Sequence, residues 1–150
     1  MTDLEQEFYA YLRQVPAVVA VLSADGKPES TRLFPEVSPQ SAAYPRASFQ
    51  RVTDIGLDHM GGASPLSHAM IQTDVFAKSP ADRKTTANAI RNALHGAQGF
   101  FMGEVAVRSV RLENEIDSAT YISDGTDVPV YRTRMDFSIW YVRSAPVHTL

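Results

Sequence analysis

The stretch "VPVYRTRMDFSIWYV", residues 128–142, decides the fold. Taken every second residue, Tyr131, Thr133, Met135, Phe137, Ile139 and Tyr141 form an almost wholly apolar set. Arg132, Arg134, Asp136 and Ser138 form the other set, which stays polar until Trp140. Successive side chains of a strand point to opposite faces of a sheet, so this alternation predicts a long, half-buried β-strand. Upstream, "EVAVRSVRLENEI" predicts its partner. Val105 and Val107 share one parity, whereas Val110 and Leu112 share the other, and such a change of phase predicts a β-bulge at Arg108–Ser109. The segment between, "DSATYISDGTDVP", is turn-rich and acidic. The two strands therefore predict a long C-terminal hairpin with Glu113, Glu115, Asp117, Asp124 and Asp127 at an acidic tip.

Working outward, "SPADRKTTANAIRNALHG" predicts a helix. Ser79 suits the N-cap, Pro80 the first helical position, and Asp82 the positive end of the helix dipole. Ala87, Ile90, Ala93 and Leu94 make a lean apolar stripe, and Gly96 suits a left-handed C-cap. "HAMIQTDVFA" (68–77) and "PRASFQRV" (45–52) predict two more strands. Between them lies "TDIGLDHMGGASPLS", whose three glycines and one proline predict a long loop, with Asp58, His59 and Met60 as candidate partner contacts. From Pro28 to Pro45 the chain carries four of its nine prolines, which predicts an extended irregular segment with a short strand at Arg32 to Phe34. At the N-terminus, "TDLEQEFYAYLRQV" places Leu4, Phe8, Tyr11, Leu12 and Val15 on one helical stripe, capped by Thr2 or Asp3, and "PAVVAVL" from Pro16 predicts a second, short helix. The fold class expected is α+β, one domain over 1–150, with a mostly antiparallel sheet, a long C-terminal β-hairpin and helices packed on one face.

The gross numbers fit that expectation. A chain of 150 residues can bury roughly 70% of the surface its unfolded form exposes. It has no cysteine, which excludes disulfides and zinc sites built on thiolates. The run Ala17 to Leu22 is too short to span a membrane and lacks the basic flank of a signal peptide, so a soluble protein made in the cytoplasm is expected. Net charge is -3 with acids and bases interspersed, which offers no electrostatic footprint for nucleic acid or for an acidic membrane.

No catalytic or metal constellation is legible. None of His59, His68, His95 and His148 has metal-ligand spacing to another ligand. Gly61–Gly62 lacks the context of a phosphate loop, "SDGTD" lacks the twelve-residue calcium pattern, and there is no GxSxG elbow. No catalytic residue, metal or cofactor is expected. Arg132, Arg134 and Asp136 allow two readings: a solvated face with cross-strand pairs to Glu113 or Glu115, or a subunit contact. Trp140 on that face needs cover, from the core or from a neighbouring subunit.

The ordered set of segments resembles the phage tail-completion (tail-terminator) protein family, which also occurs in prophages and gene transfer agents. The residues that carry the resemblance are Phe34–Pro35, Tyr44–Pro45, Gln72 with Asp74 to Ala77, Asp136–Phe137 and Trp140–Tyr141, spread over about residues 4 to 142. The resemblance implies a structural, non-enzymatic protein. It implies a homo-oligomeric ring, typically a hexamer, on the head-proximal end of a tail tube in a virion or virion-like particle. The implied partners are further copies of the chain, the tail tube protein and head connector or neck proteins. DNA would pass transiently through the lumen, past the acidic residues, and no membrane is involved. Two other readings stand beside it: a tail-to-head joining or neck protein of the same particle, and a small α+β hydrolase or ligand-binding domain with no recognisable motif.

Overall fold

The computed structural model describes residues 3–39, 41–59, 62–121 and 129–142, with 57–59 and 62–65 as backbone alone. The elements in chain order are α1 (Leu4–Leu12), α2 (Pro16–Leu22), a 3-10 turn (Pro28–Ser30), β1 (Leu33–Pro35), β2 (Arg46–His59), β3 (Gly62–Ala77), α3 (Pro80–Leu94), β4 (Gln98–Met102), β5 (Val105–Thr120) and β6 (Val130–Val142). The strands form one sheet in the order β1-β2-β3-β6-β5-β4. Every pairing is antiparallel except β1 with β2. The α+β class and the mostly antiparallel sheet are as the alternation and the caps predict.

One parity of the strands makes the core. Ala47 and Phe49 of β2, Ala69, Ile71 and Val75 of β3, Met135, Phe137, Ile139 and Tyr141 of β6, and Val105, Val107 and Val110 of β5 pack with Leu4, Phe8 and Leu12 of α1, Val18 and Leu22 of α2, and Ala87, Ile90 and Leu94 of α3. The helices therefore lie on one face, and their apolar stripes are what hold them there. Phe8 meets Phe49 at 5.2 Å between ring centroids, and Tyr11 meets Phe100 at 5.4 Å while its hydroxyl donates to the Ala93 carbonyl at 3.0 Å.

The caps behave as their chemistry requires. Asp3 accepts from the Gln6 N–H at 2.8 Å, and Ser79 accepts from the Asp82 N–H at 3.1 Å. Gly96 takes φ +80°, the left-handed conformation expected at the end of α3. Asp25 organises the turn after α2: its carboxylate accepts from the Lys27 N–H and from the Ser23 and Ser30 hydroxyls, and these bonds hold it below the usual carboxylate range. The proline-rich segment is tied down by Arg46, which donates to the Pro39 and Ala42 carbonyls at 2.7 and 3.0 Å and lies over the Tyr44 ring.

Three expectations need correction. The stretch read as a long loop, 54–67, belongs to two strands. β2 reaches His59 and β3 starts at Gly62, so the hairpin they form is as long as the C-terminal one. Gly56, Gly62 and Pro65 are absorbed by a register shift between Gly56 and Asp58, where the pairing passes from Ser67 to Ala63 and Pro65 has no ladder bond to donate. β4, "QGFFM", is a strand that no alternation announced; five residues between two glycines are too few to show a period. Finally, Glu113, Glu115 and Asp117 lie within β5, not at a hairpin tip. The bulge expected at Arg108–Ser109 is present between Val107 and Ser109, and a second one falls between Leu112 and Asn114.

Candidate assembly surfaces

The helices cover one face of the sheet, and the polar parity of β6 lies on the other. On this open face β3 and β6 are joined residue by residue: Asp74 opposite Arg134, Gln72 opposite Asp136, Met70 opposite Ser138 and His68 opposite Trp140. Arg132 donates from Nε and Nη2 to Asp74 Oδ1 at 3.0 and 2.8 Å. Arg134 donates to the Gln72 side-chain oxygen and lies 3.9 Å from Asp136, and Gln72 donates to Asp74 at 3.2 Å. The arginines are thus paired, as a solvated face would have them. Their partners are Asp74 and Gln72 of β3 and Asp136 of β6 itself, however, rather than Glu113 or Glu115 of β5. The period-2 set His68, Met70, Gln72, Asp74 and Phe76 faces the polar set on β6, a pairing that only the strand order reveals.

Trp140 is not a core residue. Its ring stacks on His68 with centroids 4.2 Å apart and planes 16° apart, half-buried on the open face, and His68 is in turn hydrogen-bonded to Ser138. Ile55 lies opposite His68 in the same row and is 56% exposed. One row further, Phe101 of β4 pairs with Ala106 of β5, which pairs with Val142 of β6, which pairs with Leu66 of β3. This end of the open face is therefore apolar, and the other end carries the arginine–carboxylate network. A mixed apolar and Arg-rich face of this kind is what protein contact surfaces are made of.

The second surface is the outer half of β5. Residues 113–120 are all exposed, in both parities. A strand exposed in both parities departs from the in–out alternation that the rest of this sheet obeys. On the helix side, Glu115 is paired with Arg91 of α3 at 3.2 Å, and Asp117 lies 4.0 Å from Arg83 and accepts from the Thr133 hydroxyl at 2.7 Å. These groups line an open groove of about 410 Å³ between α3 and β5. Two arginines on α3 thus neutralise two of the acids read as a negative tip. Glu113, the extra residue of the second bulge, is 4.0 Å from Arg111. On the open-face side, Ile116 is 50% exposed. His95, at the end of α3, accepts the Leu112 N–H at 3.0 Å and so stitches the helix to β5.

A third cluster sits under α1. Glu5 of α1 pairs with Arg51 of β2 at 2.8 Å, Arg51 also reaches Asp54, and Asp54 accepts from the Tyr141 hydroxyl. Burial pushes the Glu5 carboxyl above its usual value, with Arg51 opposing the shift.

Of the other candidate contacts, Asp58 and His59 lie at the end of β2, described as backbone alone, and Met60, Asp124 and Asp127 lie outside the described residues. Among the described residues no group of three or more His, Cys, Asp or Glu side chains could hold a metal ion, and no helix is long and apolar enough to cross a membrane.

A profile of the family described as "Tail completion protein gp17" matches residues 6–142. The chain belongs to that family. It is a structural component of a tail and not an enzyme. Among solved structures, a chain described as part of the "Virion of native gene transfer agent (GTA) particle" shares the fold, with a TM-score of 0.63 at 17% identity over 93% of this chain and 94% of that one. No curated protein matches.

Proposed function

We propose that this tail completion protein acts as a terminator: a single domain that assembles with copies of itself into a closed ring, a hexamer, on the head-proximal end of a tail tube. The ring stops tube polymerisation and offers head connector or neck proteins a surface to dock on. The observation that carries the reading is the family match over residues 6–142. The likeness of fold to a chain of a gene transfer agent virion agrees with a place in a virion or virion-like particle, at the head–tail junction. The outer half of β5, exposed in both parities and without a strand on its outer side among the described residues, supports assembly, because an exposed strand of that length is a template for another chain.

On this reading the open face, with Arg132, Arg134, Asp136 and Trp140, and the end of β2, with Asp58 and His59, are contact surfaces toward other subunits, the tube protein or the neck, and so is Met60, which follows in the sequence. DNA passes only transiently. Arg91 and Arg83 already hold Glu115 and Asp117, and Arg111 lies 4.0 Å from Glu113, so these three acids keep little net charge with which to repel phosphate.

The test is to add the purified protein to polymerising tail tube subunits. Tubes that stop short, in proportion to the protein added, with a ring visible at one end, are expected. Tubes of unchanged length that nonetheless bind the protein at one end favour the joining role, and no association with tubes contradicts the proposal.

A further inference from the structure

The two edges of the sheet are each half covered, and on opposite halves. β1 pairs only with Ala47, Ser48 and Phe49, which leaves β2 without a strand neighbour on that side from Arg51 onward among the described residues. β4 pairs only with the first residues of β5, as far as Ser109, and from Glu113 onward β5 has no strand neighbour on its outer side among the described residues. The two uncovered stretches run in opposite directions, since β2 is antiparallel to β3, β3 to β6 and β6 to β5. The stretch on one edge can therefore pair antiparallel with the stretch on the other edge of a second copy.

We infer that the subunits join edge to edge, β5 of one copy against β2 of the next, with Ile116 opposite Ile55, so that the ring is lined by one continuous sheet. This rests on the ring reading and adds its contact and register. Ile55 and Ile116 both lie on the open face, opposite His68 and Arg134, and both are at least half exposed. An isolated isoleucine on an otherwise polar strand gains from a cross-strand apolar mate. The same register sets Thr53 opposite Ser118. On the helix side it sets Asp54 opposite Asp117, and each arrives with its own arginine, Arg51 and Arg83. Each of the two acids is thus already paired within its own subunit, which offsets their repulsion across the contact. β4 ends at the row of Ser109 and β1 at that of Phe49, so neither intrudes on the pairing of 52–56 with 115–119.

The register also closes. Ile55 lies in the cross-strand row of Trp140 and Ile116 in that of Arg134, six residues lower on β6. Each copy then steps by about 20 Å along the strands, at about 3.3 Å per residue, for about 19 Å of width over the four strands β2, β3, β6 and β5. That corresponds to a strand tilt of about 45°, at the upper end of the range in which sheets close into barrels. A head-to-tail contact repeated at this tilt uses every free edge.

The chain has no cysteine, which makes the test clean. The full-length Ile55→Cys/Ile116→Cys variant is oxidised and run on a non-reducing gel, with light scattering of the unoxidised protein alongside. Thr53→Cys/Ser118→Cys serves as a second pair should the first fold poorly. Within one copy the paired positions are three strands and six rows apart, well beyond the roughly 7 Å between Cα atoms that a disulfide allows. The expected result is a ladder of covalent multimers for both pairs that collapses on reduction, and none for the four single variants beyond dimers. Multimers in solution without a ladder would overturn the edge contact while leaving the ring. Monomers at every concentration would overturn both.

Discussion

Glu5 shows how far a single residue's surroundings set its chemistry. It sits where α1 meets β2, and burial outweighs Arg51, so its carboxyl titrates above the usual value of 4.5. A raised acid binds its proton more tightly in the folded state than in the unfolded one. Its contribution is therefore most favourable below pH 4.5 and declines as pH rises through the folded pKa. Replacing it with glutamine removes the titration and keeps the shape. The difference in melting temperature, wild type minus Glu5→Gln, is expected to fall between pH 4 and pH 7; a difference that grows with pH would contradict the assignment. Phe8 is the opposite case, a fully buried ring against Phe49. Phe8→Ala is expected to cost about 3–5 kcal/mol in denaturant unfolding, from lost burial and the cavity left behind. Arg132 is half exposed but holds Asp74 with two donors, so Arg132→Ala should cost only about 1 kcal/mol of stability. A larger loss would mean that the network on the open face holds the fold and is not primarily a contact surface.

At the scale of elements, the turn joining β4 to β5 depends on a left-handed glycine. Gly103 takes φ +59°, and a Cβ there would fall 1.6 Å from a carboxylate oxygen of Glu7 on α1. The Glu7 side chain can swing away, so the lasting penalty is the left-handed backbone. Gly103→Ala is expected to cost roughly 1 kcal/mol in urea unfolding, and an unchanged midpoint would show that the turn relaxes. Elements were legible where local chemistry and burial agreed. Ser79 and Pro80 announced α3, the alternation from Tyr131 to Tyr141 announced β6, and the change of phase after Val107 announced a bulge. Legibility failed where they disagreed. Gly56, Gly62 and Pro65 are turn formers by local chemistry, yet they lie in strands because the hairpin of β2 and β3 absorbs them at a register shift beyond the end of β6. The pairing of Arg132 with Asp74 could not be read from either strand alone, because strand order decides the neighbour and the sequence does not print strand order. The same holds for Arg91 and Arg83, which reach Glu115 and Asp117 only because α3 lies along β5.

For the whole molecule, the uneven covering of the sheet is the main lesson. Among the described residues, helices protect one face, β1 and β4 each protect half an edge, and the outer half of β5 has no strand on its outer side and only Arg83 and Arg91 of α3 reaching it. A chain that folds alone blunts its edges; one built to assemble keeps them for a neighbour. Membership of a tail completion family gives that neighbour a setting, and the terminator reading gives it a purpose. The most direct test is electron microscopy of particles made with this gene deleted. Overlong tails without a cap, beside tailless heads, are the predicted result. Tails of normal length joined to heads as usual would contradict the account.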